Sequence, residues 1–126
     1  MNCIGSLPFS PWYDDMEGPR KMREVILKYR PGTEKPYRSI VYTAGWIASM
    51  TLYEGISRAG KKLNVESLLA ALETFRNFNT GGLCGPINFS STDHQGLYHS
   101  KLYKADPKSG KLIPITDWRK SPEARE

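Results

Sequence analysis

Residues with reactive or metal-binding side chains lie close together between positions 84 and 99. Cys84 comes ten residues before His94, which follows Asp93, and His99 comes five residues later. A cysteine beside a histidine base is typical of a nucleophilic site, but this spacing matches no signature of one. Two histidines without a third ligand at a recognisable spacing do not make a metal site. We therefore interpret Cys84 as a small buried residue and predict no catalytic residue, no metal and no cofactor.

The segment GGLCGP at 81–86 is glycine-rich, as phosphate-binding loops are. Such loops continue with a Lys-Ser or Lys-Thr pair and open a helix whose N-terminus holds the anion. Here residues 87–90 follow, and their alternation predicts a strand. We interpret the glycines as a turn between elements, and Asp14, Asp15 and Glu17 as solvated turn residues.

Length and composition favour one globular domain. The chain has 126 residues, of which 39% are hydrophobic and 25% charged,. No apolar run approaches the roughly 18 residues of a membrane span, and the first residues lack the features of a signal peptide. The net charge is +5, but no run of five like charges occurs, so a nucleic-acid partner is not predicted,. The two cysteines leave open one disulfide or two free thiols.

Three helices are predicted from apolar side chains at helical spacing, over residues 18–29, 39–58 and 65–76,. Gly18 is the predicted cap of the first helix, and Asn64 is the predicted N-cap of the third. The second helix carries small residues that would let another element approach closely: Ala44, Gly45, Ala48 and Ser49.

Short alternating segments flank the helices. Residues 87–90, 97–104 and 111–116 are predicted strands, separated by turn residues,. Residues 1–16 contain two prolines and predict a strand end followed by a long loop. Residues 119–126 are predicted to fray. The residues alone therefore predict a unit with three helices and a terminal β-ribbon.

Several segments carry distinctive sequence motifs. They are, in order, WYDD (12–15), YRPG (29–32), YTAGW (42–46), SRAGKKL (57–63), SLLAALE (67–73), FNTGGLCGPINFS (78–90), TDHQG (92–96) and TDW (116–118). Together they resemble the closing third of the substrate-binding proteins of branched-chain amino-acid ABC transporters. The resemblance is collinear over residues 12–118. It departs at Cys84, where the family usually has threonine or a similar residue.

The resemblance implies the fold class α/β, as an incomplete type I periplasmic-binding fold with three helices followed by a C-terminal antiparallel β-ribbon. It implies that residues 1–126 are a C-terminal fragment of a two-lobed solute-binding protein. Within it, residues 1–16 would form a cleft-side loop, 17–76 the three helices, 82–118 the closing strands and 119–126 a frayed tail. Family members are much longer and carry a signal peptide, which we expect this chain to lack.

The resemblance also implies a function without catalysis. The whole protein would capture a small ligand by hinge closure between its lobes, outside the cytoplasm or in the periplasm, and present it to an ABC permease. The ligand would be a branched-chain or other amino acid, an amide or an aromatic acid. A sensory or regulatory ligand-binding domain is the alternative, because the same fold serves receptors.

The ligand contacts that the resemblance implies map to Asn2, Tyr42, Val41 and Phe9. Tyr42 is equally well explained as a core aromatic residue at the start of a helix. The helices present small and apolar faces that would pack against a sheet in a complete α/β fold, and the chain contains few predicted strands. We therefore expect the chain to self-associate.

Overall fold

The computed structural model describes residues 3–32 and 38–122 of the chain. The elements follow in the order β1 (Ile4–Leu7), α1 (Glu17–Tyr29), α2 (Ile40–Ala59), α3 (Val65–Leu72), β2 (His99–Asp106), β3 (Lys111–Pro114) and β4 (Arg119–Lys120). The predicted three helices and antiparallel sheet are confirmed. Within the described ranges, no helix combines the length and the apolar character needed to cross a membrane.

The starts of the helices follow local chemistry, with one correction. Asn64 caps α3 as predicted: its side chain accepts a hydrogen bond from the Ser67 N–H, and the Ser67 hydroxyl accepts one from the Asn64 N–H,. Gly18 does not cap α1, because the helix begins at Glu17 with Met16 as the N-cap. The Gly18 N–H instead donates to the Gly81 carbonyl over 2.8 Å. The start of α1 is therefore held by the glycine-rich turn.

Helix α3 is shorter than the predicted 65–76. After Leu72 the backbone tightens, because the N–H groups of Thr74 and Phe75 bond to carbonyls three residues back,. The Phe75 side chain is fully buried. Helix α3 therefore ends early because the chain turns after Leu72, and this turn places the Phe75 ring in the core.

Strand β2 is the centre of the sheet. It pairs antiparallel with β1, from Ile4 opposite Lys104 to Leu7 opposite Lys101, and with β3 on its other edge. The predicted C-terminal antiparallel ribbon is therefore present, and β1 from the beginning of the chain adds a further strand to it. This pairing joins residues about one hundred positions apart, so no local sequence pattern predicts it.

Two other predictions about the late segments are wrong. Residues 87–90 form only isolated bridges, between Phe78 and Ile87 and between Ser90 and Asp93. The predicted tail 119–126 begins with ordered structure, since β4 pairs with the first two residues of β2. Residues 123–126 lie outside the described part of the chain.

The core lies between the helices and the loop that follows α3. Its buried members are Trp12, Met22, Ile47, Phe75, Leu83, Cys84 and Ile87. Of the 20 residues of α2, Thr43, Ile47 and Gly55 are buried, and Tyr42, Trp46 and Met50 are partly buried against the core. Gly55 lets α3 approach closely, because an added Cβ would lie 2.7 Å from Leu72 Cδ2. Nine of the 20 residues of α2 are exposed.

Candidate functional site

An apolar groove of about 680 Å³ separates α1 from the first half of α2. Two of the four predicted ligand residues, Tyr42 and Val41, line it. Its other walls come from α1, its C-cap residue and α2, through Val25, Ile26, Tyr29, Arg30, Gly45, Trp46 and Ser49. The structure therefore brings Tyr42 and Val41 together beside aliphatic and aromatic side chains.

The other two predicted ligand residues are not part of this groove. Phe9 lies in a second groove of about 480 Å³, beside Ala48 and Leu52 of α2. Asn2 lies outside the described residues. The four residues thus do not form one site in the described part of the chain.

Arg38 contacts Tyr42, which lines the α1–α2 groove, although Arg38 is not itself a lining residue, and the sequence analysis missed it. Its guanidinium carbon lies 5.2 Å from the centroid of the Tyr42 ring and 6.0 Å from that of Trp12. Its Nη1 donates to the Tyr42 hydroxyl over 3.1 Å, and its Nη2 donates to the carbonyls of Arg30 and Gly32. Among 18 basic residues, no sequence signal distinguished this one. Only the fold brings this cation beside two aromatic rings.

The Arg38 guanidinium can still act on a ligand. It has five N–H donors, and the hydrogen bonds within the described chain use three of them,. Both Nη2 hydrogens are used, so the two free donors, on Nε and Nη1, do not form a parallel pair, but each can donate a single hydrogen bond to a carboxylate oxygen,. The arrangement therefore suits a molecule with an apolar body and one carboxylate.

A buried polar network positions Trp12, which forms one side of this aromatic pair. The Tyr103 hydroxyl donates to Asp14 Oδ2 over 2.8 Å, and Arg23 Nη1 donates to the carbonyls of Trp12 and Asp14. The Thr43 hydroxyl donates to the Ser10 carbonyl over 3.0 Å. The network ties the loop before α1 to the sheet and to α2 at once. Trp12 meets Tyr42 edge-on, with 6.0 Å between the ring centroids.

Burial raises the pKa of Asp14 above its ordinary value of 3.8, against the lowering effects of the Tyr103 hydroxyl, Lys101 and Arg23. A carboxyl whose pKa is raised by folding adds stability below its unfolded pKa, and that stability is lost as pH rises through the folded pKa. Asp14→Asn keeps an oxygen for the Tyr103 hydroxyl but cannot ionise. We expect its free energy of unfolding to fall less than that of the wild type as pH rises. Urea unfolding at several pH values between about 4 and 7 measures it.

Asp15→Asn is the matched control, because the Asp15 side chain is 83% exposed. At a fixed pH its free energy of unfolding should stay within about 0.5 kcal/mol of the wild-type value. Identical slopes for Asp14→Asn and the wild type would contradict the raised pKa.

The surroundings of Cys3, Cys84 and His94 are defined in the structure. Cys3 is exposed and Cys84 is buried, and both are free thiols, which settles the alternative left open by the sequence. Burial raises the pKa of Cys84, whereas a reactive thiolate requires a lowered one,. His94 Nε2 lies 2.9 Å from Glu73 Oε1, so this ring is engaged at the surface. Within the described ranges, no group of three or more His, Cys, Asp or Glu could hold a metal ion.

The comparisons with known proteins agree with this architecture. The sequence profile of the periplasmic binding protein family matches residues 2–111. The chain belongs to that family. A search of curated proteins finds no significant match.

Two solved structures share the fold. A branched-chain amino acid ABC transporter from Thermus thermophilus, solved with bound valine, superposes with a TM-score of 0.79 at 24% identity. A fatty acid ABC transporter substrate-binding protein from Thermomonospora curvata gives a TM-score of 0.73 at 22% identity. Each match covers 94% of this chain, but only 33% and 30% of the respective solved chains. The chain therefore spans about a third of the length of these proteins.

Proposed function

We propose that the chain is part of an extracytoplasmic solute-binding protein, which captures a small ligand and delivers it to an ABC permease. Membership of the periplasmic binding protein family and the shared fold support this role. The chemistry is recognition without bond making. One wall of the site lies in this chain, and the remainder of such a fold supplies the second wall by closing over the ligand.

The proposed ligand is an apolar carboxylic acid, such as an amino acid with an aliphatic or aromatic side chain. The observation that carries this assignment is the contact of the Arg38 guanidinium with Tyr42, a residue that lines an apolar groove. The names of the two solved relatives point the same way. Valine and a fatty acid differ in size, but each combines a carboxylate with an aliphatic part.

The roles of the groove residues follow from their chemistry. Val41 and Trp46 would cover the apolar part of the ligand and remove its surface from water,. Arg38 would pair with the carboxylate, helped by the positive end of α2, which begins at Ile40,. Tyr42 would hold the guanidinium in place through its ring and its hydroxyl.

Titration of the tryptophan emission with leucine and with leucinamide tests the proposal, because Trp12 and Trp46 lie at or beside the groove. We expect leucine to bind about tenfold more tightly than its amide. We expect Tyr42→Ala to weaken leucine binding by about tenfold or more. Arg38→Gln should reduce the preference for the acid, which a purely structural arginine would not do.

Tyr53→Ala is the matched control, because Tyr53 is on the same helix and 73% exposed. It should bind leucine as the wild type does. Equal affinity of the wild type for acid and amide would contradict the carboxylate assignment. The absence of saturable binding across aliphatic, aromatic and fatty acids would contradict the proposed site.

A further inference from the structure

Gly45 lies inside α2 at a position where packing within the described residues does not require a glycine. Glycine in a helix interior is less favourable than alanine, because its backbone loses more freedom on folding. At the other two helical glycines, an added Cβ would lie 2.4 Å from a backbone oxygen (Gly18) and 2.7 Å from Leu72 (Gly55). At Gly45 it would meet nothing within 4 Å. Close packing therefore explains Gly18 and Gly55 but not Gly45.

The open space beside Gly45 is the α1–α2 groove, which this residue lines. Val41, Gly45 and Ser49 follow one another at intervals of four residues and form one row along the α2 wall,. The Ser49 hydroxyl donates to the Gly45 carbonyl over 2.9 Å, so its proton is directed at the helix backbone. The missing side chain at Gly45 therefore leaves a notch in this wall, with Val41 on one side and Ser49 on the other.

The position of the notch along α2 determines which part of a ligand reaches it. The groove runs along α2 from Val41 to Ser49. The proposed partner of the carboxylate, Arg38, contacts Tyr42 near the start of the helix. Gly45 lies about 4.5 Å further along the helix axis than Tyr42, because an α-helix rises 1.5 Å per residue. An acid whose carboxylate is held by Arg38 would therefore place the far end of its side chain beside Gly45.

We propose that Gly45 determines the length of the ligand side chain that the α1–α2 groove accepts, and that the groove prefers acids with side chains as long as that of leucine or longer. This inference rests on the proposed function, because it concerns the same groove. A long apolar side chain fills the notch and loses more surface to water than a short one. A larger residue at position 45 occupies the same space. Helix stability and ligand length therefore make opposite demands on this position.

Calorimetric titrations with leucine and with 2-aminobutyrate, whose side chain is shorter, test the proposal. The wild type should bind leucine more tightly than 2-aminobutyrate. Gly45→Val should weaken leucine binding by about tenfold or more and change 2-aminobutyrate binding by less than about twofold. Gly45→Ala should shift the ratio of the two affinities in the same direction by a smaller factor, while raising the melting temperature.

Ala48→Val is the matched control for Gly45→Val. Ala48 is an exposed small residue on the same helix, but it lines the second groove. This variant should bind both acids as the wild type does. Circular dichroism of the variants checks that the helices remain.

The outcomes separate this inference from the proposed function. An unchanged ratio of the two affinities in Gly45→Val would overturn the inference, and so would a wild type that binds 2-aminobutyrate as tightly as leucine. In both cases the groove still binds an apolar acid, and the proposed function stands. A wild type that binds neither acid also overturns the inference. The proposed function fails as well only if aromatic and fatty acids do not bind either.

Discussion

Replacing Phe75 with alanine is expected to lower the free energy of unfolding by about 3–5 kcal/mol, a large share of the stability of a domain of this size. The Phe75 side chain is fully buried. Its ring centroid lies 4.8 Å from that of Phe78 and 5.7 Å from that of Phe89. The Arg58 guanidinium lies 4.5 Å from the same centroid. Urea unfolding at constant pH measures the loss.

The surface residue Val65 provides the control for this substitution. Val65 begins α3 and is 79% exposed. Val65→Ala should change the free energy of unfolding by less than about 0.5 kcal/mol. A loss below about 1 kcal/mol for Phe75→Ala would show that the ring is not at the centre of the core.

Gly18→Ala is expected to lower the free energy of unfolding by about 2–3 kcal/mol, although it adds a single methyl group. That methyl would lie 2.4 Å from the Thr80 carbonyl oxygen and 2.9 Å from that of Gly81. Both obstacles are backbone atoms of the glycine-rich turn, which cannot rotate away. Relief requires α1 to separate from the turn and lengthens the 2.8 Å hydrogen bond from the Gly18 N–H to the Gly81 carbonyl.

Gly45→Ala is the matched control, since Gly45 is also helical but an added Cβ would meet nothing within 4 Å. It should stabilise the protein by about 0.5–1 kcal/mol, because alanine is the better helix former. Opposite signs for the two glycines are the expected result of thermal or urea unfolding. A stabilising Gly18→Ala would contradict the close contact between α1 and the turn.

The sequence predicted what local chemistry decides. The three helices follow from apolar spacing, and Asn64 caps α3 because a side-chain oxygen at that position satisfies a free N–H group,. The sequence analysis missed features that depend on contacts between residues far apart in the chain. Gly18 fits a capping role by type, but its real partner is Gly81, which is 63 residues away.

The same limit applies to the sheet and to the candidate site. Pairing of β1 with β2 joins the two ends of the chain, and no periodicity in either segment encodes its partner. Tyr42 and Val41 were predicted from the family resemblance and now line one groove. Arg38 was missed because its significance comes from two aromatic rings, and Trp12 reaches it only through the fold.

The most direct measurement is a ¹H–¹⁵N correlation spectrum of the protein titrated with leucine. If the chain binds apolar carboxylates between α1 and α2, the backbone signals of Val41, Gly45 and Trp46 should shift with saturation. Leucinamide at the same concentration should shift them much less. Unchanged signals at these residues, or shifts confined to the second groove around Leu97, would contradict the proposed ligand site.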